Sequence, residues 1–152
     1  MRANAEISVN RPIEDVWAFV SDVRNMERWV TGVSDARQST DGPLATGSTV
    51  ESQYQYAGKT HDVKYGVTAL EAASRLTLKA TSGPFPFVWS VELRRANGGT
   101  LVRNTVDAGA DSFFTGVTFL LLWPLLRLGM KRGIRKDLER LKAAREEAPP
   151  AA

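Results

Sequence analysis

Residues 113–126 read FFTGVTFLLLWPLL, a run without a charged side chain that contains Pro124 and leads into the basic, amphipathic segment 131–147. Its apolar surface must be covered, and the nature of the cover decides the fold. Fourteen residues fall short of the roughly 20 that a helix needs to cross bilayer hydrocarbon, and continuing past Leu126 meets Arg127, Lys131 and Arg132. The run is therefore not a transmembrane span. An ordinary surface helix would show a polar stripe, but here only Thr115 and Thr118 interrupt the apolar residues. Protein core, a bound hydrophobic ligand, a partner chain and a membrane surface are the four covers that fit.

Downstream, Met130, Ile134, Leu138 and Leu141 recur at helical spacing and form a narrow apolar stripe among charges. Asp111 or Ser112 can cap this final helix, and the Glu146-Glu147-Ala-Pro-Pro exit ends it. Pro124 cannot donate to the carbonyl four residues back, which predicts a kink or short break near 120–124 and a helix in two segments. Gly129 and Gly133 form a small-xxx-small pair, but Lys131 and Arg132 lie between them, so the pair is weak as a membrane-dimer motif.

Upstream, the period changes. Ala5, Ile7 and Val9 alternate with polar residues, as in a half-buried strand. Pro12 suits a helix start, Glu14 and Asp15 favour its positive end, and Val16, Trp17, Val20 and Val23 supply an apolar face, predicting a helix over 12–21. A short helical turn follows over 25–29. From Val33 to Ala110, turn chemistry at Asp41-Gly42-Pro43, Ala57-Gly58-Lys59, Ala73-Ser74, Ser82-Gly83-Pro84 and Asn97-Gly98-Gly99 separates six strands of an antiparallel meander. Alternation is clearest in Val50/Ser52/Tyr54/Tyr56, His61/Val63/Tyr65/Val67, Leu76/Leu78/Ala80 and Phe85/Phe87/Trp89/Val91/Leu93, so one face is lined with aromatics. Helices at the two ends of a seven-stranded antiparallel sheet make an α+β arrangement, and the last helix alone is long enough to cover the apolar face.

The chain of 152 residues is sized for one domain, 1–147, with 148–152 as a disordered tail. With no cysteine, disulfides, thiolate metal sites and cysteine nucleophiles are excluded. The N-terminal MRANAEISVN reads as a strand rather than a secretory signal, which makes a cytoplasmic location the expectation. Eight of the 20 basic and four of the 17 acidic residues fall after residue 111, a net +4 there against −1 for the remainder. A basic charge confined to one helix fits a solvated face or an acidic lipid surface, and a nucleic-acid partner is not expected.

The segment Ile7 to Trp17 (ISVNRPIEDVW), followed by Asp22 and Trp29, Asp41-Gly42-Pro43 with Gly47, Gly98-Gly99-Thr100, and Arg135 to Lys142 (RKDLERLK), resembles the polyketide cyclase/dehydrase and lipid-transport family of the START-like (Bet v 1-like, SRPBCC) superfamily. The resemblance spans nearly the whole chain. It implies a helix-grip fold, in which a curved seven-stranded sheet, with two short helices after strand one, wraps a long C-terminal helix around a hydrophobic pocket. One departure is the bulk of FFTGVTFLLLWPLL, which leaves the pocket either open or filled by the protein's own side chains.

The sole histidine, His61, excludes multi-histidine metal sites, and adjacent Asp62 points to the opposite strand face, so His61 reads as a rim residue rather than a general base. No phosphate-cradling glycine motif occurs, and neither cofactor nor metal is expected. The candidate ligand-binding set is Trp29, Ser52, Tyr54, Tyr56, Tyr65, Phe87, Trp89 and Asn104 on the sheet side, with Phe113, Val117 and Leu121 on the helix side. Ser52, Tyr54, Tyr65 and Asn104 supply the polar atoms that would orient a ligand, whereas Arg103 has the opposite strand parity from Asn104 and faces solvent. The preferred function is non-covalent binding or transfer of a hydrophobic lipid, polyketide or isoprenoid. A polyketide aromatase/cyclase or dehydratase is the alternative, with catalytic residues unknown. The second alternative is contact of Phe113 to Leu126 with a second copy or with an anionic membrane, which would place the protein peripherally on its inner face.

Overall fold

The computed structural model describes residues 2–56, 58–83, 86–108 and 117–146, with the side chains of residues 56 and 117–127 left out. Strand β1 (Arg2–Val9) leads to α1 (Ile13–Val20), a 3-10 turn (Val23–Asn25) and α2 (Met26–Trp29). Six strands follow: β2 (Val33–Gln38), β3 (Thr49–Tyr56), β4 (Lys59–Glu71), β5 (Arg75–Ser82), β6 (Phe87–Ala96) and β7 (Gly99–Ala108). Helix α3 (Val117–Glu146) ends the described chain.

The seven strands form one antiparallel sheet in the order β1-β7-β6-β5-β4-β3-β2. The expected meander therefore runs from β2 to β7, and β1 returns to close on β7. The curved sheet grips α3, which packs on β1, β7 and α2. This is the helix-grip architecture of the sequence reading.

Local chemistry explains the joints. Asn97 (φ 50) and Gly98 (φ 78) both take the left-handed conformation that a two-residue hairpin demands between β6 and β7. At Gly99 a Cβ would lie 2.5 Å from the Val9 carbonyl oxygen, so the closure of β1 on β7 requires glycine there. In β2 the register shifts between Ser34 and Arg37, with Asp35 at φ 51, and this bulge bends an edge strand.

The core lies between the concave sheet face and α3. Val50, Val63, Val67, Leu76, Leu78, Val91 and Val102 from the sheet meet Ile134, Leu138 and Leu141 from the predicted stripe. Helix α1 buries Ile13, Val16, Phe19 and Val20. Trp17, assigned to that face by the sequence, is only partly buried, because the 13/16/20 spacing turns Phe19 inward and Trp17 to the flank.

Helix α3 is unbroken from Val117 to Glu146, which corrects the expectation of two segments. Pro124 removes a single rung of the hydrogen-bond ladder, and the leucines on either side are strong helix formers. Of the opening run, residues 113–116 lie outside the described residues and 117–126 are described as helical backbone. No helix among the described residues is long and apolar enough to cross a membrane.

Candidate ligand cavity

Between the sheet, α2 and the first described side chains of α3 lies a cavity of about 340 Å³. Alternation along the strands directs Tyr54 from β3, Tyr65 from β4, Phe87 and Trp89 from β6, and Val106 and Ala108 from β7 onto its wall. Met26, Val30, Thr31 and Val33 come from α2 and the chain that follows it. Gly129, Met130, Gly133, Ile134 and Asp137 line the α3 side. The wall is mostly apolar and aromatic, as in small-molecule pockets.

Four predicted residues, Tyr54, Tyr65, Phe87 and Trp89, are brought together on this wall. The Tyr65 and Phe87 rings meet edge-on at 5.8 Å. Trp29 is fully buried and packs on Trp89 at 5.6 Å between ring centroids, supporting the wall from behind. Ser52 is likewise behind it, with its hydroxyl 3.1 Å from the Tyr65 hydroxyl. Burial pushes the Tyr65 phenol above its ordinary pKa, and the Ser52 hydrogen bond acts in the opposite direction. Tyr65 is thus a neutral phenol at physiological pH, able to donate or accept.

Asn104 is fully buried and does not reach the cavity wall. Its Oδ1 and Nδ2, and the indole nitrogens of Trp29 and Trp89, have no hydrogen-bond partner among the described residues. Phe113 and the side chains of Tyr56, Val117 and Leu121 lie outside the described residues. His61 is half-buried on β4 opposite Tyr54 and is not on the cavity wall.

The sequence reading missed Asp137. This residue is 9% exposed, and its Oδ1 accepts hydrogen bonds from Thr31 N at 2.9 Å and Thr31 Oγ1 at 2.6 Å. Burial pushes its carboxyl above the ordinary aspartate range, with the Thr31 bonds and the nearby Arg140 charge pulling it back. A signal was present: Asp137 falls three residues after Ile134 and four before Leu141, on the apolar stripe itself. The two glycines had a second meaning as well. A Cβ at Gly129 or Gly133 would meet nothing within 4 Å among the described residues, so their missing side chains leave room.

A long helix held by a seven-stranded antiparallel sheet around such a cavity agrees with a family match that covers residues 1–146, to polyketide cyclase / dehydrase and lipid transport proteins. The chain belongs to this family. No curated protein matches it in sequence. Solved structures share the fold: a START superfamily protein from Mycobacterium smegmatis superposes with TM-score 0.77 at 12% identity, covering 96% of this chain and 97% of that one. The major latex-like protein 151 of Panax ginseng gives TM-score 0.67 at 15% identity over 95% and 97% of the two chains. DynU16, from the dynemicin biosynthetic locus, gives TM-score 0.66 at 17% identity, covering 98% of this chain and 48% of that one.

Among the described residues no group of three or more His, Asp or Glu side chains could hold a metal ion.

Proposed function

We propose that this family member binds a hydrophobic small molecule of lipid, polyketide or isoprenoid type, without covalent chemistry, in the cavity between the sheet and α3. The observation that carries the reading is an apolar cavity of about 340 Å³ walled by Tyr54, Tyr65, Phe87 and Trp89. Affinity comes from burying ligand surface at about 25 cal/mol per Å², with aromatic faces adding directional contacts. Native mass spectrometry after gentle extraction should show copurified ligand, and the emptied protein should take up a neutral solvatochromic dye such as Nile red. Repeated empty spectra combined with no dye uptake would overturn the proposal.

A second reading is favoured by the Ser52–Tyr65 hydroxyl pair, which could polarise a substrate carbonyl in the manner of a polyketide cyclase or dehydratase. DynU16, a fold relative, comes from a biosynthetic locus. Under this reading Tyr65→Phe lowers turnover of a poly-β-keto substrate by about 100-fold. Unchanged turnover in Tyr54→Phe, Tyr65→Phe and Asn104→Ala would remove those side chains from any mechanism.

A further inference from the structure

A carboxylate on the buried stripe of a helix needs a reason. Asp137 lies on a cavity wall built otherwise from aliphatic and aromatic side chains, backbone, and the hydroxyls of Thr31 and two tyrosines. Both of its hydrogen bonds fall on Oδ1 and both come from Thr31, which fixes the plane of the carboxylate. Oδ2 has no partner among the described residues. Arg140, the nearby cation, directs its guanidinium to Thr31 Oγ1 at 3.3 Å and to the Glu27 carbonyl at 3.4 Å. It forms no ion pair with Asp137. Oδ2 is not one of the fully buried unpartnered atoms, so this wall residue, 9% exposed and without a contacting cation, presents an accessible acceptor oxygen whose charge the protein compensates only in part. An occupant that donates a hydrogen bond to Oδ2 supplies the partner that the protein does not.

We propose that the ligand of this cavity carries a hydrogen-bond donor at its polar end, a hydroxyl or an ammonium group, which binds Oδ2 of Asp137, and that carboxylate-headed ligands are discriminated against. The inference rests on the cavity being a ligand site. A ligand carboxylate would bring two like charges together in a low-dielectric space, and one of them would have to take up a proton. A donor head meets a preorganised acceptor. Its apolar body then lies against Tyr54, Tyr65, Phe87 and Trp89, whose ring faces also favour a cation.

The test uses the whole protein, stripped of bound lipid, and two matched series that differ only in head group: decylamine, decanol and decanoate, and naphthylmethylamine, naphthylmethanol and naphthoate. Binding is measured by calorimetric titration near neutral pH to wild type and Asp137→Asn. In wild type the amine or the alcohol should bind at least about tenfold tighter than the carboxylate. In Asp137→Asn, where the amide neither repels an anion nor requires a donor, that gap should fall below about threefold. Equal binding of all heads, or preference for the carboxylate, overturns the inference and leaves the binding function standing. An undiminished gap in Asp137→Asn also overturns it, because the selectivity would then originate elsewhere. No binding of any member of either series overturns both. The wild-type ranking decides the matter even if the variant does not fold.

Discussion

Ala73 occupies the left-handed region, at φ 58, in the turn between β4 and β5, where Ser74 N also donates to the Glu71 carbonyl. For an L-residue with a Cβ this conformation is strained by about 1 kcal/mol, and glycine relieves most of that while losing some unfolded-state entropy. Ala73→Gly should therefore raise stability by about 0.5 kcal/mol, read as a higher urea midpoint at constant slope. A lowered midpoint would show that the Ala73 methyl matters more for packing than for strain. At the same scale, Asp137 makes a pH prediction. Its carboxyl is raised by burial, so the folded protein keeps this proton to higher pH than the unfolded chain does. The Asp137 contribution to stability accordingly declines as pH climbs from the ordinary aspartate range through the folded pKa, and is level above it. Asp137→Asn lacks this slope. Its urea midpoint should gain on wild type as pH rises above the ordinary aspartate range, and a difference independent of pH would contradict the shift.

Helix α3 joins stability at one end to capacity at the other. Near its C-terminus, Arg145 pairs with Asp15 of α1 at 2.6 Å, with both side chains largely buried, and stacks over the Phe19 ring at 5.1 Å. Arg11 closes the cluster by donating to the Arg145 carbonyl at 3.0 Å, and Lys142 donates to the Ser8 carbonyl at 2.7 Å. Removing the cation leaves Asp15 buried with, among the described residues, a single distant charged partner, Arg11 at 3.9 Å. Arg145→Ala should thus cost about 3 kcal/mol in chemical denaturation, while an effect near zero would mean that α3 is held by its apolar stripe alone. Toward the cavity, Gly133 has open space where a side chain would be. Gly133→Leu should keep the fold and gain about 0.7 kcal/mol of helix propensity, yet reduce ligand uptake by about tenfold by filling the cavity. Full uptake by a folded Gly133→Leu protein would locate the ligand elsewhere. The helix was legible in part: Met130, Ile134, Leu138 and Leu141 announce their face by spacing, and three of the four are buried. Its continuity through Pro124 was not, because the consequence of one missing hydrogen bond depends on the turns that flank it.

For the molecule as a whole, a ligand that binds the folded chain alone raises its apparent stability by about 2.7 kcal/mol at a concentration 100 times its Kd. A thermal-shift series with the amine and alcohol ligands should rise with concentration in wild type and less steeply in Gly133→Leu. Equal slopes would detach the stabilisation from this cavity. The sequence by itself determined the strand count, the antiparallel order and the gripping helix, because hydrophobic period and turn chemistry are properties of neighbouring residues: Asn97-Gly98 makes its hairpin whatever lies elsewhere. It also determined that Tyr54, Tyr65, Phe87 and Trp89 face inward, since strand alternation fixes the side of each. The tertiary structure alone decided which inward residues meet space and which meet protein. Asn104 on the inward sheet face and Trp29 at the end of α2 are both sealed behind the wall, whereas Gly129, Gly133 and Asp137 reach the cavity. The contact between Thr31 and Asp137 joins residues 106 positions apart, and no local pattern encodes where a curved sheet ends and a helix begins to leave room.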